Sequence, residues 1–144
     1  SGHSFKILKD ARKDKYLRQP AQEYLQQVGL ENRAEVVAGQ LSHGEHRQLE
    51  IAMALATRPK LLLLDEPMAG MGPKESTAMV EILQKLKGKL TILLIEHDMD
   101  VVFTLADKIT VLVNGRVITT DSPEAIRKNP EVKAAYLGEE NTDA

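Results

Sequence analysis

Leu61-Leu62-Leu63-Leu64-Asp65-Glu66-Pro67 is the stretch that decides the architecture of this chain. The run from Lys60 to Leu64 shows no alternation of apolar and polar residues, which predicts a strand buried on both faces. Pro73 then opens a helix whose Met79, Ile82, Leu83 and Leu86 share one side, and Gly88 closes it. Leu90 to Ile95 reads as a second buried strand of the same character. Strand, helix and strand in that order form a βαβ unit, so the two strands are expected to run parallel. The fold class that follows is α/β.

Upstream, the first forty residues are polar and weakly periodic. One helix is expected from about Pro20 to Gly29, with Tyr24, Leu25 and Val28 as its apolar stripe. Ser42-His43-Gly44-Glu45 reads as a capping box that starts a second helix. Leu49, Ala52, Met53 and Ala56 continue it at helical spacing, and Pro59 marks its end. Downstream, a short helix from about Asp98 to Ala106 leads to a third strand, Lys108 to Val113. Asn114-Gly115 is a two-residue hairpin signal, with the return strand at Arg116 to Thr120. Ser122-Pro123 caps a further short helix, and a last one is expected near Val132 to Leu137. The acidic end, Gly138 to Ala144, is expected to fray.

At 144 residues there is enough chain for one domain with one core. A hydrophobic content of 42% and a charged content of 28% are ordinary for a soluble globular protein. Lys and Arg number 19 against 21 Asp and Glu, so no basic footprint for nucleic acid is present. Cysteine is absent, which excludes disulfides and thiolate metal sites and fits a reducing compartment. The apolar runs are far too short to cross a bilayer, and no signal-peptide pattern opens the chain. These features predict a cytosolic protein. Ser1-Gly2-His3 resembles the scar of tag cleavage, the expectation being a piece cut from a longer protein.

Three places can carry chemistry. In parallel α/β sheets ligands gather at the carboxyl ends of the strands, and Asp65-Glu66 lies there. An aspartate in that position can hold magnesium, usually through water, and the neighbouring glutamate can polarise an attacking water. An ordinary strand may also end in acids. His97, in Leu94-Ile95-Glu96-His97-Asp98, follows the next strand and is expected at the same sheet edge. Its imidazole can donate to a phosphate oxygen, or it can simply serve a helix start. Leu41-Ser42-His43-Gly44-Glu45 offers a helix N-terminus, a hydroxyl and a glycine allowing close approach, which is an anion site or only a cap. His43 and His46 are too few for a metal centre without a third ligand.

Taken together at these intervals, Leu41 to Glu45, Leu61 to Pro67 and His97 resemble the signature, Walker B and H-loop of the ABC ATPases. The resemblance covers nearly all of the chain after about Pro20. It implies that Asp65 is the magnesium residue, Glu66 the catalytic glutamate and His97 the switch histidine. It likewise implies that Leu41, Ser42, His43, Gly44 and Glu45 meet the γ-phosphate of ATP held by an opposing subunit. The finer spelling is similar to the ATP-binding subunits of branched-chain amino acid importers. Arg47-Gln48-Leu49-Glu50-Ile51, Ala69-Gly70-Met71-Gly72-Pro73, Ile95-Glu96-His97-Asp98-Met99 and Ala135-Tyr136-Leu137-Gly138-Glu139 carry that likeness. The lipopolysaccharide-export ATPase shares the Tyr-Leu-Gly-Glu ending and stands as the alternative.

The chain also departs from the family pattern. His43 replaces the first signature glycine, Glu45 the usual glutamine, and Gly72 the D-loop aspartate often found before Pro73. No G-x-x-x-x-G-K-[ST] occurs, so the cradle and lysine that hold the β- and γ-phosphates are missing. The adenine-stacking aromatic and the Q-loop glutamine have no assignable positions either. The resemblance therefore implies the C-terminal half of a P-loop-NTPase-like (ABC ATPase) fold, a mostly parallel sheet with flanking helices, lacking the P-loop strand. It divides the chain into a remnant of the helical subdomain at 1–57, an α/β core at 58–121 and C-terminal helices with an acidic tail at 122–144.

ATP and Mg2+ are the cofactors so implied, and neither is expected to bind this chain tightly. The implied partners are a second ATP-binding subunit, transmembrane permease subunits and, indirectly, a solute-binding protein, with no nucleic acid. The implied location is the cytoplasm, peripheral on the inner face of the plasma membrane. Missing sheet neighbours would leave apolar faces and edges bare, so the chain is expected to form oligomers. Two further readings stay open: a natural non-catalytic binding or regulatory module, and a stand-alone metal hydrolase built on Asp65, Glu66 and the histidines.

Overall fold

The computed structural model describes residues 14–137, which fall into two units joined between Ile95 and Glu96. The expectations for Ser1-Gly2-His3 and for Gly138 to Ala144 lie outside the described residues.

The first unit opens with α1 (Lys15–Gln27), whose N-cap is Asp14, its carboxylate accepting from the Tyr16 amide at 3.0 Å. The helix thus starts earlier than Pro20, which lies inside it and removes one backbone donor. Gly29 ends it as expected: with φ 75°, its amide bonds Gln26 O and the Leu30 amide reaches back to Leu25 O. That pair of bonds is a Schellman stop, and it delivers Val28 and Leu30 into the core. Two short 3-10 turns, Glu31–Arg33 and Ala38–Gln40, lead to α2 (His43–Ala56), which packs against both α1 and α3. Ile51, Ala52 and Leu55 are the buried stripe of α2.

Next comes the βαβ unit: β1 (Leu61–Asp65), α3 (Pro73–Leu86) and β2 (Thr91–Ile95). The two strands pair in parallel, with Leu61 opposite Thr91 and Asp65 opposite Ile95. Met79, Ile82, Leu83 and Leu86 are all buried, the stripe read from their spacing. The strands, however, are not covered on both sides. Leu62 is buried and Leu64, Ile92 and Leu94 are half-buried, but Leu61, Leu63, Leu93 and Ile95 are 49–61% exposed. Side chains alternate along a strand, so these four share one bare face of the sheet, together with Asp65. The apolar run was read as two-sided burial, and only one side has its cover among the described residues.

The second unit contains α4 (Met99–Leu105), β3 (Ile109–Val113), β4 (Arg116–Asp121), α5 (Pro123–Lys128) and α6 (Pro130–Leu137). β3 and β4 form the expected hairpin, with Asn114 at φ 49° and Gly115 at φ 74°, the two left-handed residues of a type I′ turn. A register shift between Val111 and Leu112 marks a bulge. Ile109, Val111, Ile126 and Val132 form its core, with Phe103 and Val113 packed against it. The Arg127 guanidinium lies 4.2 Å from the centroid of the Phe103 ring.

The α/β class is therefore present as a parallel pair and a separate antiparallel pair, a more even division than the mostly parallel sheet expected. Among the described residues no helix is long and apolar enough to cross a membrane.

Candidate functional site

Asp65 is the last residue of β1 and is exposed at its carboxyl end. Glu66 continues the ladder by one bond, its amide donating to Ile95 O at 2.9 Å. It does so at φ 44°, in the left-handed region that disfavours side chains other than those of Gly, Asn and Asp. Its carbonyl then accepts from the Ala69 amide at 3.1 Å, which turns the chain away from the strand. Strain of this kind costs about 1–2 kcal/mol and persists where the surroundings over-determine the backbone. Sequence reasoning placed Glu66 but missed its conformation. Pro67 even argues the other way, since the residue before a proline favours extended backbone.

The segment Leu41 to Glu45 is held by contacts at both ends. Ser42 is the N-cap of α2: its hydroxyl accepts from the Glu45 amide at 3.2 Å, and its amide donates to the Glu45 carboxylate at 2.8 Å. That is the capping box read from the sequence. The bond from the Ser42 amide, and then those from the Arg33 guanidinium, hold the Glu45 carboxyl below the usual carboxylate range. Arg33 Nε lies 2.7 Å from Glu45.

Two hydrogen bonds join this segment to the chain beyond Glu66. His43 Nε2 is 3.1 Å from the Ala69 carbonyl, and as Nε2–H it donates to that oxygen. The Ser42 hydroxyl donates to Glu75 Oε1 at 3.3 Å. The other oxygen of Glu75 accepts from the Gly72 amide at 3.2 Å, capping α3. Glu75 also explains the glycine at 44. A Cβ built there would lie 2.8 Å from Glu75 Oε1 and 2.9 Å from its Cδ. Neither Glu75 nor the partner of His43 was found from sequence, because both are contacts between segments some thirty residues apart and no local spacing encodes them.

His97 belongs to the second unit, where it is exposed and its amide donates to Glu96 Oε2 at 3.3 Å. The helix start it was thought able to serve is taken by Asp98. The Asp98 carboxylate accepts from the amides of Asp100 and Val101 at 3.0 and 3.2 Å. The histidine is thus not needed as a cap.

Among the described residues no three His, Asp or Glu side chains converge into a group able to hold a metal by themselves. Asp65 alone fits the way magnesium binds beside nucleotides, through one carboxylate, waters and phosphate oxygens. It lines a recess of about 250 Å3 with Arg47 and Glu50, which pair with each other at 2.9 Å.

The chain resembles known proteins along most of its length. The family model described as ABC transporter matches residues 3–69, and that described as branched-chain amino acid ATP-binding cassette transporter matches residues 116–141. The high-affinity branched-chain amino acid transport ATP-binding protein BraF of Pseudomonas aeruginosa is 42% identical over 137 residues, 94% of this chain and 54% of that protein. LivG of Escherichia coli, of the same description, is 44% identical over 118 residues, 81% of this chain and 46% of its own length. Among solved structures, MJ1267, an ATP-binding cassette of an ABC transporter, superposes with a TM-score of 0.75 at 32% identity. That superposition covers 86% of this chain and 51% of the other. The chain spans about half the length of the curated relatives it matches.

Proposed function

This chain belongs to the ABC transporter ATP-binding proteins of the branched-chain amino acid type, and from that membership we propose that it carries the hydrolytic and partner-facing half of a transport ATPase. The observation that carries the proposal is the carboxyl end of β1, where Asp65 is followed by a glutamate held in a strained, left-handed turn. A backbone conformation this costly at an acid just past a strand end fits a functional site.

In this reading Glu66 polarises the attacking water as general base, and Asp65 holds magnesium largely through water. The ion would supply charge compensation to the phosphates. His97 donates a hydrogen bond to the γ-phosphate. Ser42, Gly44 and the adjoining backbone of Leu41, His43 and Glu45 meet the phosphate of ATP bound by an opposing subunit. No G-x-x-x-x-G-K-[ST] occurs in the sequence, so the proposed role is confined to the hydrolytic and partner-facing groups. BraF and LivG are described as branched-chain amino acid transport proteins, and import of such solutes is the transport step proposed. Permease subunits and a second ATPase subunit at the cytoplasmic face of the membrane are the partners this role requires.

The test uses a full-length ATPase that carries this sequence behind a phosphate-binding loop. Glu66→Gln is expected to lower turnover by about a hundredfold or more while leaving ATP affinity unchanged, since only the proton acceptor is lost. Turnover within a few-fold of the parent would remove Glu66 from this role. Calorimetric titration of the 144-residue chain alone with Mg-ATP is expected to show no micromolar site.

A further inference from the structure

The N-terminal turn of α2 already has an anion beside it. The carboxylate of Glu75, delivered from the first turn of α3, takes the hydrogen of the Ser42 hydroxyl and lies 2.8 Å from where a Cβ on Gly44 would stand. Ser42 has a single hydroxyl hydrogen, and its oxygen is occupied in accepting from the Glu45 amide. While Glu75 receives that hydrogen, a phosphate oxygen cannot. A second negative group brought to the same place also meets like-charge repulsion. The recess around these groups, about 210 Å3, is completed by Gln48, Lys74 and Ala78, so room and one cation are present for an oxyanion once the carboxylate withdraws.

We propose that Glu75 is a positioning residue whose carboxylate holds the phosphate's place over Ser42 and Gly44 and is displaced when the phosphate docks. The inference rests on the reading above, that the segment Leu41 to Glu45 meets a phosphate. It adds a physical link that the reading lacks. Glu75 Oε2 also bonds the Gly72 amide, in the loop that leads from Glu66 into α3. Displacement of the carboxylate therefore frees the loop after Glu66 at the moment the partner's phosphate arrives. One subunit's loaded site is reported to the other subunit's catalytic turn.

The experiment is a sulfate titration of the 15N-labelled 144-residue chain, followed at the Gly44 and Glu45 amides. Sulfate is a tetrahedral dianion of constant charge around neutral pH. Glu75→Gln keeps the shape and one of the two acceptor oxygens but removes the charge, and it is expected to tighten sulfate binding about threefold or more. Glu81→Gln, an exposed change of equal charge on the same helix, is expected to leave the affinity unaltered. Equal or weaker binding by Glu75→Gln, with sulfate still seen at Gly44 in the parent, overturns the placeholder and leaves the phosphate seat standing. Absence of sulfate shifts at Gly44 in every protein overturns the seat itself. Glu75→Ala repeats the measurement without the α3 cap. Loss of a dispersed spectrum in both Glu75 variants would make the residue a folding element and end the proposal.

Discussion

Glu66 holds a backbone shape that its own side chain opposes, and a substitution there tests what that means. Replacing it by glycine relieves the left-handed strain, so Glu66→Gly is expected to gain up to about 1 kcal/mol in urea unfolding while removing the carboxylate proposed to polarise water. A loss of stability would show that the carboxylate supports the fold instead. Glu45 offers a second check. Its folded-state pKa lies below the ordinary value, because the charged form accepts from the Ser42 amide and pairs with Arg33. The cap therefore contributes its full stability above the ordinary carboxylate pKa, and loses it as pH falls through the lowered folded value. Glu45→Gln is expected to flatten the acid limb of a stability-against-pH curve by lowering stability near neutrality, with little effect in acid, where the carboxyl is already protonated. The capping box at Ser42 and the place of Asp65 and Glu66 after a strand were legible in the sequence, because a cap needs Ser-x-x-Glu at fixed local spacing and an apolar run marks the strand before them. The strain at Glu66 and the carboxylate of Glu75 over Gly44 were not, since each depends on what the rest of the chain imposes.

One carboxylate, that of Glu75, links the first turns of α2 and α3 and makes those turns interdependent. Ser42→Ala removes the cap of α2 and the hydroxyl donor to Glu75 together, and is expected to cost about 1 kcal/mol by urea unfolding. Gly44→Ala carries a conflict. Alanine is better than glycine in a helix by about 0.5–1 kcal/mol, but its Cβ would displace Glu75 from two hydrogen bonds. The substitution is therefore expected to be neutral or destabilising in the parent and stabilising in a Glu75→Ala background. Additive effects in that double-mutant cycle would contradict the contact. Most elements themselves were legible, because their signals are local: the Ser42 box, the glycine at 29, Pro73 at the start of α3 and Asn114-Gly115 in the hairpin. α1 begins at Lys15 rather than near Pro20, because Asp14 caps it there and the helix accommodates Pro20 within it. Burial of β1 and β2 could not be read from their apolar runs, since a run states what a strand would bury, not whether anything lies against it.

For the molecule as a whole, the bare face of the parallel sheet is the feature with most effect on behaviour in solution. Leu61, Leu63, Leu93 and Ile95 present adjoining apolar surface, and a formal charge of −2 opposes association only weakly. The chain is expected to self-associate at high concentration, with mass rising in sedimentation equilibrium. Leu63→Lys with Leu93→Lys is expected to return it to a single-chain mass. A concentration-independent monomer in the parent would show that this face is tolerated bare. The same four side chains also fix how such an assembly answers to heat. Removing apolar surface from water is driven by entropy near room temperature and lowers the heat capacity, so the contact weakens on cooling. A preparation of this chain should thus be most nearly monomeric in the cold and most crowded when warmed. Its state of assembly then reads as a thermometer for how much of that sheet face has found a cover.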